Sequence, residues 1–232
     1  MYICIHKMRE ASMDLYETLR GDILDGRLPS GTLLLQTDLA RRFAVSRIPV
    51  RDALQRLAAA RLVTVVPNRG ARVIALPKAE LAEIWDMRAL LEADLARRAT
   101  ALARPEDHAE VEHALARAEL EAGRPGWREG DLGFHEALYA AAGRPRQTAL
   151  VRELRETCAV HVADYDALIE ETPRWLADHR DILAAFRAGD AEAAARLTSA
   201  HVLGAGAHLL ARLPETRAAE ATRLLDRDGK PL

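Results

Sequence analysis

Four side chains in the second half of the chain have the residue types and spacing of a metal site. Asp131 and His135 lie four residues apart in a stretch with helical periodicity, so they project from the same face of one helix. His179 and His201 lie in two other helical, partly apolar stretches. Neutral imidazole and carboxylate suit zinc, nickel, manganese or iron, and four such ligands leave coordination positions for water or a small molecule. Taken singly, each histidine is more simply interpreted as a hydrogen-bonded core or surface residue.

Two arginines near the N-terminus form a second candidate site. Arg47 and Arg51 lie four residues apart in the first turns of a predicted helix, away from its apolar positions. Arginine is the commonest bidentate reader of guanine in the major groove. Cations at a helix start oppose the helix macrodipole, which favours a partner with negative charge. The alternative interpretation is that both are solvated surface arginines.

The elements around these arginines predict a helix, a turn, a second helix and a β-wing between Gln36 and Val73. Ser46 is placed to cap the second helix, which is expected to end near Ala60. Extended patterns on either side of a Pro-Asn-Arg-Gly turn then predict a hairpin with Arg69 at its tip. A hairpin this small must pack against the neighbouring helices. This order of elements is typical of proteins that dock on DNA.

The same stretch resembles the N-terminal domain of GntR-family bacterial transcription regulators. The resemblance implies that Arg47 and Arg51 contact bases and that Thr37, Ser46 and Gly70 contact mainly phosphate. One departure is visible, because Arg61 stands where the family usually has glycine, and a left-handed conformation there costs about 1 kcal/mol relative to glycine. The matching residues are Leu39, Phe43, Val45-Ser46-Arg47-Ile48-Pro49-Val50-Arg51-Asp52-Ala53-Leu54, Leu57, Leu62-Val63 and Pro67-Asn68-Arg69-Gly70-Ala71-Arg72-Val73.

Length and charge indicate two domains of unlike character. The chain has 232 residues and a net charge of −2, but residues 1–74 carry +5 and the remainder carries −7. A positive first domain favours phosphate, while an acidic remainder stays off the duplex. We predict a winged helix-turn-helix domain at 8–75, a linker at 76–79, a helical domain at 80–213 and a disordered tail at 214–232.

Beyond the linker the pattern is almost entirely helical. Breaks at proline and glycine predict about six helices, and no strand-like alternation occurs among them. The fold class is therefore mostly α, with a small N-terminal β-hairpin and a C-terminal all-α bundle. The predicted helices span 78–103, 105–122, 127–142, 145–170, 173–188 and 190–212.

The bundle resembles FCD, the ligand-binding domain of the FadR subfamily. In many members of that subfamily an aspartate and three histidines bind a divalent metal, and an organic acid binds beside it. The resemblance implies that Asp131, His135, His179 and His201 are these ligands. Arg88 is a candidate carboxylate clamp, with a surface salt bridge to Glu92 as the alternative. The matching runs are Asp131-Leu132-Gly133-Phe134-His135, Leu138, Ala141-Ala142-Gly143, His179-Arg180-Asp181-Ile182-Leu183, Ala184-Ala185, Gly189-Asp190 and His201, and Arg144 departs from the family's usual asparagine.

Two cysteines far apart and the lack of a long apolar run predict a cytoplasmic protein without a membrane span. Met1, Met8 and Met13 are all plausible starts.

These patterns together predict a metal-binding, ligand-responsive transcription regulator, most simply a repressor. The expected partners are a palindromic double-stranded operator, a small carboxylate-bearing metabolite and a second copy of the chain, since one module buries too little surface for strong operator binding. Zinc is the first choice of metal, with nickel, manganese or iron as alternatives. Two other functions stay open: a metal-dependent hydrolase that uses the same four residues, and a metal-free regulator that responds to acyl-CoA.

Overall fold

The computed structural model describes residues 2–124, 126–161 and 171–213, with side chains described from Ser12 onward. Two compact units are present. The first contains residues up to Pro77 together with 156–161, and the second contains the other described residues from Lys78 to Leu213. The predicted disordered tail, 214–232, and the predicted end of the fourth bundle helix, 162–170, lie outside the described residues.

The first unit is a winged helix-turn-helix built on three helices and a small sheet. Its helices are α1 (Tyr2–Leu24), α2 (Gln36–Arg42) and α3 (Arg47–Ala59). The strands are β1 (Leu33–Leu35), β2 (Val63–Val66) and β3 (Gly70–Val73), which form an antiparallel sheet in the order β1-β3-β2. The hairpin of β2 and β3 was predicted from the sequence, β1 adds a third strand to it, and the mostly helical fold class is confirmed.

Apolar periodicity sets the core of this unit. Leu39 from α2 and Leu57 from α3 are fully buried, as is Leu34 from β1. Val160, near the end of a later helix, joins the same core. The small sheet is thereby held against the helices, as a hairpin of this size requires.

Three local predictions had different outcomes. Arg61 adopts a left-handed conformation with φ 58° directly after α3, as expected from the missing glycine. Ser46 precedes α3 but its side chain makes no capping hydrogen bond, so the predicted cap is wrong in that respect. The sequence pattern places Ser12 as the cap of the first helix, but that helix begins at Tyr2, because no glycine or proline interrupts residues 2–12. Ser12 is buried within the helix.

The second unit is an all-helical bundle. It contains α4 (Lys78–Leu102), α5 (Pro105–Glu121), α6 (Trp127–Ala140), the start of α7 (Pro145–His161), α8 (Thr172–Arg187) and α9 (Ala191–Arg212). Helix α4 packs along α9, α5 packs on α6, and α8 packs on α9. The described ends agree with the predicted breaks to within one or two residues. Across the described ranges, none of the helices combines the length and apolarity that a membrane span requires.

Candidate metal centre and nucleic-acid interface

Four side chains from three helices meet inside the second unit. Helix α6 carries Asp131 and His135 one turn apart, α8 carries His179, and α9 carries His201. One ligand atom from each residue lies within 4.8 Å of the corresponding atoms of the other three. Nε2 of His179 is 3.3 Å from Nε2 of His201 and 3.5 Å from Oδ1 of Asp131. The four residues that the sequence singled out are therefore brought together in space.

Local sequence explains how these helices reach the cluster. Pro173 lies in the first turn of α8, where its missing N–H costs nothing. The Asp190 side chain caps α9 by accepting the N–H of Ala193 at 2.9 Å. Gly130 allows α6 to approach α5 closely, since a Cβ there would lie 2.9 Å from Cα of Ala118. Gly130, which directly precedes Asp131, is therefore required for the close packing of α5 against α6.

A hydrogen-bond chain fixes the tautomer of His135. The Tyr139 hydroxyl donates to Oε2 of Glu92 at 2.9 Å, so its only proton is used there. Nδ1 of His135 lies 3.0 Å from the same hydroxyl oxygen and must donate to it. Nε2 of His135 then holds a lone pair, and it is buried without a hydrogen-bond partner among the described residues.

His201 and His179 are held by different means. Nδ1 of His201 lies 3.1 Å from Oδ2 of Asp178, which directs the Nε2 lone pair of His201 toward the cluster. The His179 ring stacks on Phe134, with ring centroids 4.3 Å apart, and within the described ranges its Nδ1 has no hydrogen-bond partner. Packing positions the His179 ring, whereas a carboxylate positions the His201 ring.

Arg155 on α7 connects the cluster to a buried glutamate. Its two terminal nitrogens donate to Oε2 of Glu92 at 2.7 Å and to Oδ2 of Asp131 at 2.8 Å. The second bond leaves Oδ1 of Asp131 facing His135 and His179, at 3.7 and 3.5 Å from their Nε2 atoms. Arg155 therefore orients the carboxylate as well as neutralising it.

The electrostatics favour neutral histidines beside charged carboxylates. Burial, together with the nearby His201, lowers the pKa of His179 to about 3. Burial also holds the pKa of His135 well below its usual value, with Arg155 adding to the effect. Burial alone would raise the pKa of Glu92, but Arg155 and Arg88 outweigh it and lower the pKa to about 2. The pKa of Asp131 is likewise lowered against burial, chiefly by Arg155.

This set of donors fits a divalent cation. The lone pair of His201 faces Nε2 of His179 at only 3.3 Å, an arrangement that needs a proton or a cation between the two nitrogens. Nε2 of His135 is buried, unprotonated and unpartnered, which is costly unless it coordinates something. Donors on one ion with bonds of about 2.0 to 2.2 Å lie at most about 4.4 Å apart, close to the spacing here.

Arg88 does not form the surface salt bridge that was one alternative for it. The side chain is 4% exposed, its Nε donates to Oε1 of Glu92 at 2.8 Å, and its guanidinium lies 4.1 Å from the centroid of the Trp85 ring. Tertiary packing converts the pair at helical spacing into a buried ion pair. The role of Arg88 as a carboxylate clamp stays a prediction.

A separate candidate interface lies on the outer face of α3. Arg47 and Arg51 are exposed, and so are Ser46 and Thr37, while the opposite face of the helix is buried. Arg69 is exposed in the turn between β2 and β3. The predicted side-chain contacts to DNA are thus all accessible on the first unit.

Ion pairing separates the arginines of the first unit into two groups. Arg27 and Arg42 both bond to Asp22, and Arg20 bonds to Glu156. In the part of the chain that the structure describes, Arg47, Arg51 and Arg69 have no acidic partner, nor does the exposed Arg41. Exposed guanidiniums without an acidic partner are suited to phosphates and base edges.

Two residues of the wing have structural roles. Gly70 is buried, and a Cβ there would lie 1.9 Å from the carbonyl oxygen of Leu34, so β1 can pair with β3 only if this residue is glycine. Arg72 donates to the carbonyl of Gly31 at 2.7 Å and supports the turn before β1. Any contact of Gly70 with phosphate would be made by its backbone.

Three residues of the candidate metal centre were not identified from the sequence. Tyr139 lies four residues after His135, so the same helical spacing that paired Asp131 with His135 could have suggested it. Asp178 directly precedes His179 but supports His201, which no local spacing indicates. Arg155 lies on another helix and has no sequence signal.

Comparisons with known proteins match both parts of the chain. A profile described as the FCD domain matches residues 83–204. A profile described as bacterial regulatory proteins, gntR family, matches residues 11–73. The first match contains all four candidate metal ligands, and the second contains the candidate DNA-contacting residues.

Individual relatives are similar over part or most of the chain. The HTH-type transcriptional repressor GlaR of Escherichia coli K12 is 37% identical over 143 residues, which span 59% of this chain and 65% of GlaR. An HTH-type transcriptional regulator from the TAR-I ttuE-ttuC' intergenic region of Agrobacterium vitis is 34% identical, over 56% of this chain and 79% of the relative. The crystal structure of a GntR transcriptional regulator from Rhodococcus sp. RHA1 superposes with a TM-score of 0.72 at 26% identity, covering 88% of this chain and 99% of that one.

Proposed function

Since this chain belongs to the gntR family of bacterial regulatory proteins and carries an FCD domain, we propose that it is a DNA-binding transcription repressor whose operator affinity is controlled by a small organic acid at a divalent-metal site. The repressor assignment draws on the similarity to GlaR, a transcriptional repressor. The combination of the two domains supports the FadR subfamily. A cytoplasmic location follows from a DNA target.

The observation that carries the DNA-binding part is the set of unpaired arginines on α3 and the wing. Arg47 and Arg51 would read bases in the major groove, with Arg69 on phosphate. A side-chain hydroxyl at Thr37 or Ser46 and the backbone at Gly70 would add phosphate contacts. The acidic partners of Arg20, Arg27 and Arg42 keep those arginines out of the interface.

The metal would be held by Oδ1 of Asp131 and by Nε2 of His135, His179 and His201. A divalent ion there supplies a Lewis-acidic position that an oxygen ligand can occupy. Tyr139 and Asp178 accept hydrogen bonds from His135 and His201, and Arg155 donates one to Asp131. These contacts orient the metal-binding atoms, as outer residues do around other metal sites. A ligand set of three imidazoles and one carboxylate suits zinc first, with nickel, manganese or iron as alternatives.

Charge supports an anionic effector. In the described interior, the carboxylates of Glu92 and Asp131 balance the guanidiniums of Arg88 and Arg155. A divalent ion adds two uncompensated positive charges to a buried region, which an organic acid would offset by placing a carboxylate on the metal. Arg88 is the proposed second contact for such a ligand.

A homodimer is the proposed assembly. Met87 and Leu90 are 45% and 74% exposed and lie three residues apart on α4, so they form an apolar ridge that a second copy would cover. Two recognition helices would then read two halves of a palindromic operator. The proposed dimer would have two arrangements that differ in operator affinity. An effector that binds one arrangement more tightly than the other would change operator affinity by at most that difference in binding free energy.

The proposal is tested on the purified full chain. Metal analysis after purification without added metal should give about one divalent ion per chain, and selection from a random duplex library should yield a palindromic site. Titration of carboxylic acids should then weaken binding to that site. A metal-free protein that responds to acyl-CoA would favour the other regulator class. The hydrolase alternative has no support, because the relatives are transcription regulators.

A further inference from the structure

Ile48 is an exposed apolar residue on the helix that carries Arg47 and Arg51. Its side chain is 49% exposed, although Val50, Leu54 and Leu57 of the same helix are all buried. Helix α3 is described over its full length, and Ile48 is its only exposed large apolar residue. A single exposed apolar residue is ordinary elsewhere on a protein surface. Ile48, however, lies on the candidate DNA-binding helix beside Arg47 and Arg51, so we infer that this part of the helix contacts an apolar group of the partner.

The neighbours of Ile48 limit what that partner is. Arg51 lies three residues on and Asp52 four residues on, so both adjoin Ile48 on the helix surface. Asp52 is exposed, and its negative charge is unfavourable beside a phosphate. The ridge formed by Ile48 and Asp52 therefore suits base edges and not the DNA backbone. Arg47 and Arg51 border this ridge.

We propose that Ile48 contacts the C5-methyl group of a thymine next to the bases read by Arg47 and Arg51, and so contributes to operator specificity. The proposal rests on the proposed DNA-binding function. The thymine methyl is the apolar group that the major groove presents, and apolar side chains contact it there. Because isoleucine is branched at Cβ, its side chain has few rotamers to lose when it is buried against the base.

The test uses the full-length protein and a duplex selected by it from a random library. Each thymine of the selected site is replaced in turn by deoxyuracil, which removes only the methyl group and keeps the base pair. Binding of the unmutated chain, Ile48→Ala and Ile48→Val is measured by fluorescence anisotropy at one fixed salt concentration. Leu120→Ala is the matched control, because Leu120 is an exposed apolar residue of the second unit. Thermal melting checks that all variants fold.

We expect one thymine in each half-site at which deoxyuracil weakens binding of the unmutated chain by about three- to fivefold, the effect of losing one buried methyl group. Ile48→Ala should bind the thymine duplex correspondingly weakly and show no further loss with deoxyuracil. Ile48→Val and Leu120→Ala should respond like the unmutated chain.

Two results would overturn the inference in distinguishable ways. If the chain selects a site but every thymine replacement affects the unmutated chain and Ile48→Ala equally, Ile48 does not read a methyl group, and the DNA-binding function stands. A selected site without thymine in either half-site would likewise exclude the methyl contact and leave the DNA-binding function standing. If no sequence is enriched at all, the proposed function fails together with the inference.

Discussion

Nδ1 of His135 lies 3.0 Å from the hydroxyl oxygen of Tyr139, and this contact decides which ring nitrogen of His135 is available to a metal. The hydroxyl proton is committed to Glu92, 2.9 Å away, so the histidine must donate. A residue one helical turn from a candidate ligand thus sets the chemistry of that ligand.

Replacing Tyr139 by Phe should weaken metal binding without dismantling the site. The ring would still fill its buried space, but Nδ1 of His135 would lose its acceptor and the tautomer would no longer be fixed. We expect a 10- to 100-fold loss of metal affinity, the usual effect of removing an outer hydrogen-bond partner. Competition with a chromophoric chelator measures it. An affinity equal to that of the unmutated chain would show that the hydroxyl has no orienting role.

Replacing His179 or His201 by Ala should remove both the metal and the response to an organic acid. DNA binding in the absence of effector should persist, because the candidate base-contacting residues belong to the other compact unit. The measurements are metal analysis and operator binding with and without the acid. His113→Ala is a suitable control, since His113 is exposed on α5. Full metal occupancy in either Ala variant, or an acid response in metal-free protein, would contradict the proposed ligand set.

Arg47→Ala and Arg51→Ala should each cost roughly 1 to 3 kcal/mol of operator binding and relax base preference at one position. Arg69→Ala should weaken binding to all duplexes more evenly, because a wing arginine on phosphate carries no sequence information. Gel-shift titrations against the selected site and a scrambled duplex separate the two effects. Arg104, which is exposed in the second unit, provides the control substitution. Equal affinity of the unmutated chain for both duplexes would refute specific recognition.

Without metal, the protein should lose stability as the pH falls below about 6.5. The pKa of His179 is lowered to about 3 by burial and by His201, while in the unfolded chain it is about 6.5. Between these values the unfolded chain binds a proton that the folded chain does not, so the free energy of unfolding decreases as the pH falls. The slope is up to about 1.4 kcal/mol per pH unit for each such histidine, and His135 acts in the same direction.

Urea unfolding between pH 7 and pH 5 with a chelator present would measure this slope. His179→Leu should reduce it, because the substitution removes one of the groups that bind a proton only on unfolding. A slope unchanged by His179→Leu would mean that this histidine is protonated equally in the folded and unfolded chains.

Local patterns were sufficient to predict the elements and the principal candidates. The Thr172-Pro173 and Gly189-Asp190 breaks place the ends of α8 to within one or two residues, because proline and glycine act on the backbone where they stand. Asp131 and His135 share a face because the helical period is fixed. The left-handed Arg61 was predictable for the same reason, as the chain must turn directly after α3.

The tertiary structure alone decided the burial and the hydrogen-bond partners of several site residues, because these depend on segments far apart in the chain. Arg88 and Glu92 have the spacing of a surface pair, yet packing buries both and adds Arg155 from α7 as a second partner of the glutamate. Asp178 directly precedes His179 in sequence but supports His201 from α9. Helical periodicity reports which side chains share a face. Hydrogen-bond partners and burial depend on which other faces pack against it, and that information is not local.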